Sequence, residues 1–226
     1  MVNMPWILVI LLLLVGNNTS AYAKEGSFKR EERRKSIPIN KLKSNLEDPK
    51  KEKDKQPDKV IAALGIKKGD TIADVGAGTG LYSFRLADRV GIEGKVYAVE
   101  IEDELLDYIR NKMNSNKVTN IIPVKSSDTG PNLPPACCDK IIITNSYYYF
   151  KDPVMFMKNV LKALKPGGIV VIIDLDLAKV SKNSKLRDKL SLPGEVIEEM
   201  KSVSLVLLES HDFLLKRFFL VFKVNE

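Results

Sequence analysis

One stretch of this chain admits few folds: the apolar segment Thr71 to Val75 runs straight into Gly76-Ala77-Gly78-Thr79-Gly80, and then into a helical pattern from Leu81 to Val90. Alternate glycines let a backbone turn sharply and approach a ligand, and the helix that follows opens with unpaired N–H groups. A strand feeding a helix through such a loop is one half of a β-α-β unit, so the rest of the chain should alternate in the same way.

It does. Ahead of the loop, Pro57 to Leu64 reads as a short helix with proline in its first turn, and Lys67-Lys68-Gly69-Asp70 reads as a turn. Phe84, Leu86 and Val90 share the inward face of the helix after the loop. Lys95 to Val99 is the second strand, and Glu102 to Met113 is a helix whose opening acids suit the positive end of its dipole. Ile121 to Val124 is the third strand. Lys140 to Thr144 is the fourth, its Ile141-Ile142-Ile143 run expected where both faces are covered. Asp152 to Leu164 is a helix stopped by Lys165-Pro166-Gly167-Gly168, and Ile169 to Ile173 is the fifth strand. A helix from Pro193 to about Val203 precedes two further strands, Ser204 to Glu209 and Arg217 to Val224. Repeated β-α units imply right-handed crossovers and a parallel sheet, whereas the short loop of the last pair requires antiparallel pairing. The expected fold is α/β, a Rossmann-like doubly wound sheet in a domain from residue 57 to 226.

The two preceding zones differ in kind. Trp6 to Val15 is a continuous apolar run, followed by a polar stretch and Ala21-Tyr22-Ala23. As a helix it spans about 15–18 Å, half of a hydrocarbon core, and the small-x-small ending matches a cleavable export signal over residues 1–23, cut after Ala23. The expected outcome is export, with a periplasmic location. The alternative is an N-terminal membrane anchor with the domain in the cytoplasm. No Lys or Arg precedes the run, and Lys24, Lys29, Arg30, Arg33, Arg34 and Lys35 follow it, which is the bias that keeps a flank inside. Residues 24–56 form a charged stretch, expected as a flexible arm because mixed charge with few apolar groups cannot offset ordering entropy. The chain's formal charge is +7, and 13 Lys/Arg against 8 Asp/Glu between residues 24 and 59 carry most of it. That zone suits contact with an anionic membrane surface; its interleaved acids, without any accompanying motif, argue against nucleic acid. Two cysteines, adjacent at Cys137 and Cys138, and a single histidine, His211, argue against a disulfide framework and a zinc site alike.

The loop also discriminates between ligands. Its spacing is G-x-G-x-G, and Leu81 stands where a dinucleotide fingerprint has its third glycine. Asp74, two residues ahead of the first glycine, is unhelpful to a pyrophosphate and suits a ligand carrying an ammonium group. Glu100 lies some 20 residues past Gly80, at the end of the second strand, where a carboxylate can accept both hydroxyls of a ribose.

From about Gln56 to Phe222 the sequence resembles the class I S-adenosylmethionine-dependent methyltransferases, in particular small bacterial members that begin with a secretory-type segment. The residues that carry the resemblance are Val75 to Gly80, Val96-Tyr97-Ala98-Val99-Glu100, Leu133-Pro134-Pro135, Leu164-Lys165-Pro166-Gly167-Gly168 and Phe219-Leu220-Val221-Phe222. The resemblance implies a seven-stranded sheet with its last strand inserted antiparallel, and S-adenosyl-L-methionine lying over the carboxyl ends of strands one and two. Gly76, Ala77, Gly78 and Gly80 would face its methionine part, Glu100 its ribose and Ile101 its adenine, with Asp128 or Ser127 at the adenine amino group. No metal is implied.

Displacement at a sulfonium methyl asks the protein to hold an acceptor dry and in line, and needs a general base only when the acceptor must lose a proton. Asn145-Ser146-Tyr147-Tyr148-Tyr149-Phe150 follows the fourth strand, where the family's acceptor-facing residues emerge, and Asn145, Tyr147 and Tyr148 are the candidate catalytic residues. Tyrosines replace a Tyr-His-His run usual in relatives. Asp174 and Asp176 are further rim groups. The expected activity is methyl transfer to a small or lipid-like acceptor. The alternatives are a non-catalytic S-adenosylmethionine-binding protein, and a nucleic-acid or protein methyltransferase that uses the basic arm.

Overall fold

The computed structural model describes residues 39–184 and 187–225. The segment expected to direct export and the first part of the charged arm lie outside them. Three helices come first: α1 (Ile39–Leu46), α2 (Pro49–Lys55) and α3 (Pro57–Ala63). The alternation then runs β1 (Thr71–Val75), α4 (Leu81–Val90), β2 (Lys95–Glu100), α5 (Asp103–Asn116), β3 (Ile121–Lys125), β4 (Cys138–Thr144), α6 (Pro153–Ala163), β5 (Leu164–Leu175), α7 (Pro193–Lys201), β6 (Leu205–His211) and β7 (Arg217–Val224). The strands form one sheet in the order β3-β2-β1-β4-β5-β7-β6, with β7 antiparallel to both of its neighbours. This is the expected α/β doubly wound sheet. Inserting β7 antiparallel places Arg217, its first residue, opposite Leu175 at the carboxyl end of β5.

Two apolar layers hold the sheet. Ile141 and Ile143 of β4 face Phe156, Met157 and Val160 of α6 and Val196 and Met200 of α7. Ile142, with Ile72, Val171 and Phe219, faces Val60 of α3 and Leu86 and Val90 of α4. All three isoleucines are fully buried, which is why β4 shows no polar alternation. At about 25 cal/mol per Å2 such side chains contribute roughly 1.5–3 kcal/mol each.

Local signals set the helix starts: Asp152 accepts from the Met155 N–H at 2.8 Å with Pro153 behind it, and Asp48 accepts from Lys50 at 2.9 Å with Pro49 behind it. One boundary differs from expectation. The Lys165-Pro166-Gly167-Gly168 stop is a bulge inside β5: Cys138 pairs with Leu164 and Lys140 with Ile169.

The flexible-arm expectation for 24–56 needs correction over its described part, because α1 and α2 are helices packed on the domain. Glu52 and Asp58 hold Arg85 of α4 at 2.5 and 3.1 Å, and Asp54 pairs with Arg217 at 3.2 Å. Gln56 donates to the Phe213 carbonyl at 3.2 Å. Net charge concealed this: the acids of the stretch match cations of the domain that are distant in sequence. Among the described residues no helix is long and apolar enough to cross a membrane.

Candidate active site

The candidate site residues gather at the carboxyl ends of β1, β2, β4 and β5. Glu100 closes β2 and is buried. Its Oε2 accepts from the Gly78 N–H at 2.8 Å, and its Oε1 from Ile101 at 2.7 Å and Glu102 at 3.2 Å. A carboxylate offers about four acceptor directions, so Glu100 organises the glycine loop and retains capacity for a ligand hydroxyl. The N–H groups of Gly76 and Ala77 both reach the Val99 carbonyl, at 2.8 and 3.0 Å, which binds the loop to β2.

Gly76 is required by its neighbour. Its φ is +77°, and a Cβ there would lie 2.1 Å from Ser146 Oγ, in the loop after β4. Gly78 faces α1 instead: a Cβ there would meet Leu46 at 3.1 Å. Gly80 caps α4. Thus α1 lies over the middle of the loop, held further by Glu47 against the Tyr108 hydroxyl and by Lys43 over the Tyr108 ring.

Asp74, on β1, accepts from Ser83 Oγ at 2.6 Å; its other oxygen, Oδ1, is buried with no hydrogen-bond partner among the described residues. Burial pushes this carboxyl up to about 7, against the Ser83 bond, with Glu100 adding to the rise. Asp174, at the end of β5, is likewise pushed up to about 7 by burial, opposed by bonds from the Leu175 and Tyr148 N–H groups and by Arg217. The consequence for stability has a definite sign. Between about pH 4 and 7 these carboxyls ionise in the unfolded chain before they do in the folded one, so stability falls as pH rises through that window and levels off above it. The contribution of each is on the order of a few kcal/mol. In urea unfolding between pH 5 and 8, Asp74→Asn should show a flatter profile than the wild type; parallel profiles would refute the assignment.

The acceptor-side candidates separate. Asn145 adopts φ +53°, and its Oδ1 accepts from Arg217 Nε at 2.8 Å. Tyr148 is half-buried, its ring tilted against that of Tyr149 at 4.0 Å between centroids, and its backbone N–H is bound by Asp174 at 3.2 Å. Burial raises its phenol far above the ordinary tyrosine range, so it stays protonated at neutral pH. Tyr147 requires a correction: its ring is buried in the α6–α7 layer, and its hydroxyl pairs with Glu199 of α7 at 2.5 Å. In the tight turn after β4, Tyr147 covers that layer, which leaves Asn145 and Tyr148 in the acceptor set. Ile101 is half-buried beside Glu100, and Asp128 sits on the rim paired with Lys151 at 3.0 Å. His211 packs against the Phe219 ring at 4.7 Å. Sequence reasoning missed Arg217, Tyr82 and Asp54. The available signal was a lone arginine heading the apolar strand Phe218 to Phe222.

The family model described as a methyltransferase domain matches residues 66–210, from ahead of β1 to the end of β6. The chain belongs to that family. The solved S-adenosylmethionine-dependent methyltransferase from Aquifex aeolicus superposes with a TM-score of 0.77 at 24% identity, over 84% of this chain and 100% of that one. The ubiquinone/menaquinone biosynthesis C-methyltransferase of Francisella philomiragia is 29% identical over 58% of this chain and 53% of its own length. The protein-L-isoaspartate O-methyltransferase of Ignicoccus hospitalis is 33% identical over 50% and 51%. The chain therefore spans about half the length of these curated relatives. S-adenosyl-L-methionine is the cofactor that the sequence resemblance implies, and the site fits it on two local grounds. The glycine loop is shaped by the buried Glu100 carboxylate, which keeps acceptor capacity, and Asp74 Oδ1 is a buried acceptor in want of a donor such as an ammonium group.

Proposed function

We propose that this methyltransferase acts on a small or lipid-like acceptor taken up where β4 and β5 end and β7 begins. One observation carries the reading: Asn145, Tyr148, Asp174 and Arg217 converge beside the glycine loop, although they come from three separate strand ends. A lipid-like acceptor takes support from the likeness to the C-methyltransferase of ubiquinone and menaquinone biosynthesis.

Glu100 and the loop from Gly76 to Gly80 would hold the cofactor, with Asp74 at its ammonium end. When bound, the cofactor supplies an electrophilic methyl group on a sulfonium. The chain's own contribution is positional. Arg217 fixes the Asn145 amide by its oxygen, which leaves the amide NH2 to donate to a ligand. Tyr148, protonated at neutral pH, serves as a donor and as an apolar wall, and is not a base. Asp174, pushed up to about 7, is the residue able to take a proton from an acceptor near neutrality.

The test uses the full chain with methyl-labelled cofactor and cell extract. Label in a solvent-extractable small molecule, lost with Glu100→Ala, is the expected result. Label confined to protein or nucleic acid, or absent altogether, defeats the proposal.

A further inference from the structure

Arg217 is an unusual residue to bury. Only 7% of it is exposed, and its side chain reaches the carboxyl end of β4 from β7. A buried guanidinium needs a matched anion, and planar bidentate pairing with a carboxylate is what its fork favours. Here the match is incomplete. Nε is satisfied by the neutral Asn145 amide; Nη1 meets one oxygen of Asp54 at 3.2 Å and the Asp54 carbonyl at 3.3 Å. Asp54 is itself about one-third exposed and shared with Lys216 at 3.6 Å. The Tyr82 hydroxyl is buried with no hydrogen-bond partner among the described residues; burial raises its pKa, and the charge of Arg217 opposes that rise. The carboxylate in ion-pair contact with Arg217 comes from α2, a short helix outside the sheet; Asp174 of β5 interacts with Arg217 through its charge, and burial holds that carboxyl's ionisation back.

We infer that Arg217 is the seat of a ligand carboxylate, and that Asp54 of α2 occupies that seat until the ligand displaces it. The inference rests on the methyltransferase reading for its choice of ligands. Two sources share the chemistry: the carboxylate of the cofactor's amino-acid tail, whose ammonium would meet Asp74, and a carboxylate carried by the acceptor. Either way the α1–α2 strap competes with the ligand at one charge.

The test compares wild type, Arg217→Gln and Asp54→Asn by isothermal titration and thermal shift, using the full chain. The probes are S-adenosylhomocysteine, 5′-methylthioadenosine, which lacks the amino-acid tail, and benzoate against neutral benzamide. If Arg217 holds the cofactor's tail, Arg217→Gln weakens S-adenosylhomocysteine by about tenfold or more and leaves methylthioadenosine unchanged. If it holds an acceptor, benzoate and not benzamide stabilises the wild type, and Arg217→Gln abolishes the effect. In both cases Asp54→Asn tightens the carboxylate probe several-fold, because its competitor is gone. Equal affinities in wild type and Asp54→Asn overturn the inference, and this arm decides even if Arg217→Gln fails to fold. Benzoate is titrated with and without nucleoside. A chain that binds no nucleoside therefore loses the methyltransferase reading, while Arg217 is still judged by benzoate alone.

Discussion

Glu100→Ala is expected to reduce affinity for S-adenosylhomocysteine by about a hundredfold or more and to destabilise the fold by about 2–4 kcal/mol, since charge-assisted bonds are worth about 1.5–3 kcal/mol each. Both effects come from one carboxylate. It accepts from the N–H groups of Gly78, Ile101 and Glu102, and so sets the shape of the glycine loop before any ligand arrives. Without it the Gly78 N–H loses its acceptor beneath Leu46, and the loop is released from β2 at its centre. Glu100→Gln should fall between the two, because an amide keeps one acceptor oxygen and presents a donor where the second was needed. Titration with S-adenosylhomocysteine and urea unfolding read the two effects separately. Binding by Glu100→Ala within threefold of wild type would show that the end of β2 does not hold the ligand.

Gly76→Ala should be comparably damaging for a different reason. The position has φ +77°, costing an ordinary residue about 1–2 kcal/mol, and the added methyl would enter the space of Ser146 Oγ and Cβ, at 2.1 and 2.5 Å. Overpacking of that kind costs about 1–3 kcal/mol more. The steric part has a built-in rescue. Ser146→Gly removes the obstructing atoms, so the double variant should recover about 1–3 kcal/mol of the single variant's loss, leaving the backbone strain. Additive losses in the double variant would mean that Gly76 answers to the ligand alone. Ser146 belongs to the loop after β4, so this contact couples the cofactor side of the site to the acceptor side.

Much of the fold was legible in the chain. The β1, α4 and β7 spans agree with the expected ones, and the remaining strands agree to within two residues at their ends except β5, which begins at Leu164 and not at Ile169. Period and punctuation are local properties, written into neighbouring residues: a run such as Ile141-Ile142-Ile143 can be buried on both sides only between two layers of helices. The placement of the candidate cofactor residues was legible for the same reason. Asp74, the glycines and Glu100 sit on adjacent strand ends whose pairing follows from the β-α-β unit, with Ala73 opposite Tyr97 and Val75 opposite Val99.

The acceptor side was not legible in that way. Three consecutive tyrosines gave no means of telling which would line the site. The tight turn after β4 sends Tyr147 to Glu199, 52 residues away, and leaves Tyr148 beside Asp174. The strap was hidden by composition: counted as charges, residues 24–56 look solvated, yet Glu52 and Asp54 find Arg85 and Arg217 at separations of 33 and 163 residues.

By itself, then, the sequence determined a doubly wound α/β domain and a glycine loop set beside the carboxylate that ends β2, because each of these depends on spacing along a single β-α-β unit. Only the tertiary structure decided that Arg217 faces Asn145 and that α2 answers it with Asp54. Those meetings depend on β7 entering the sheet antiparallel beside β5, an order of strands that no local pattern of residues encodes.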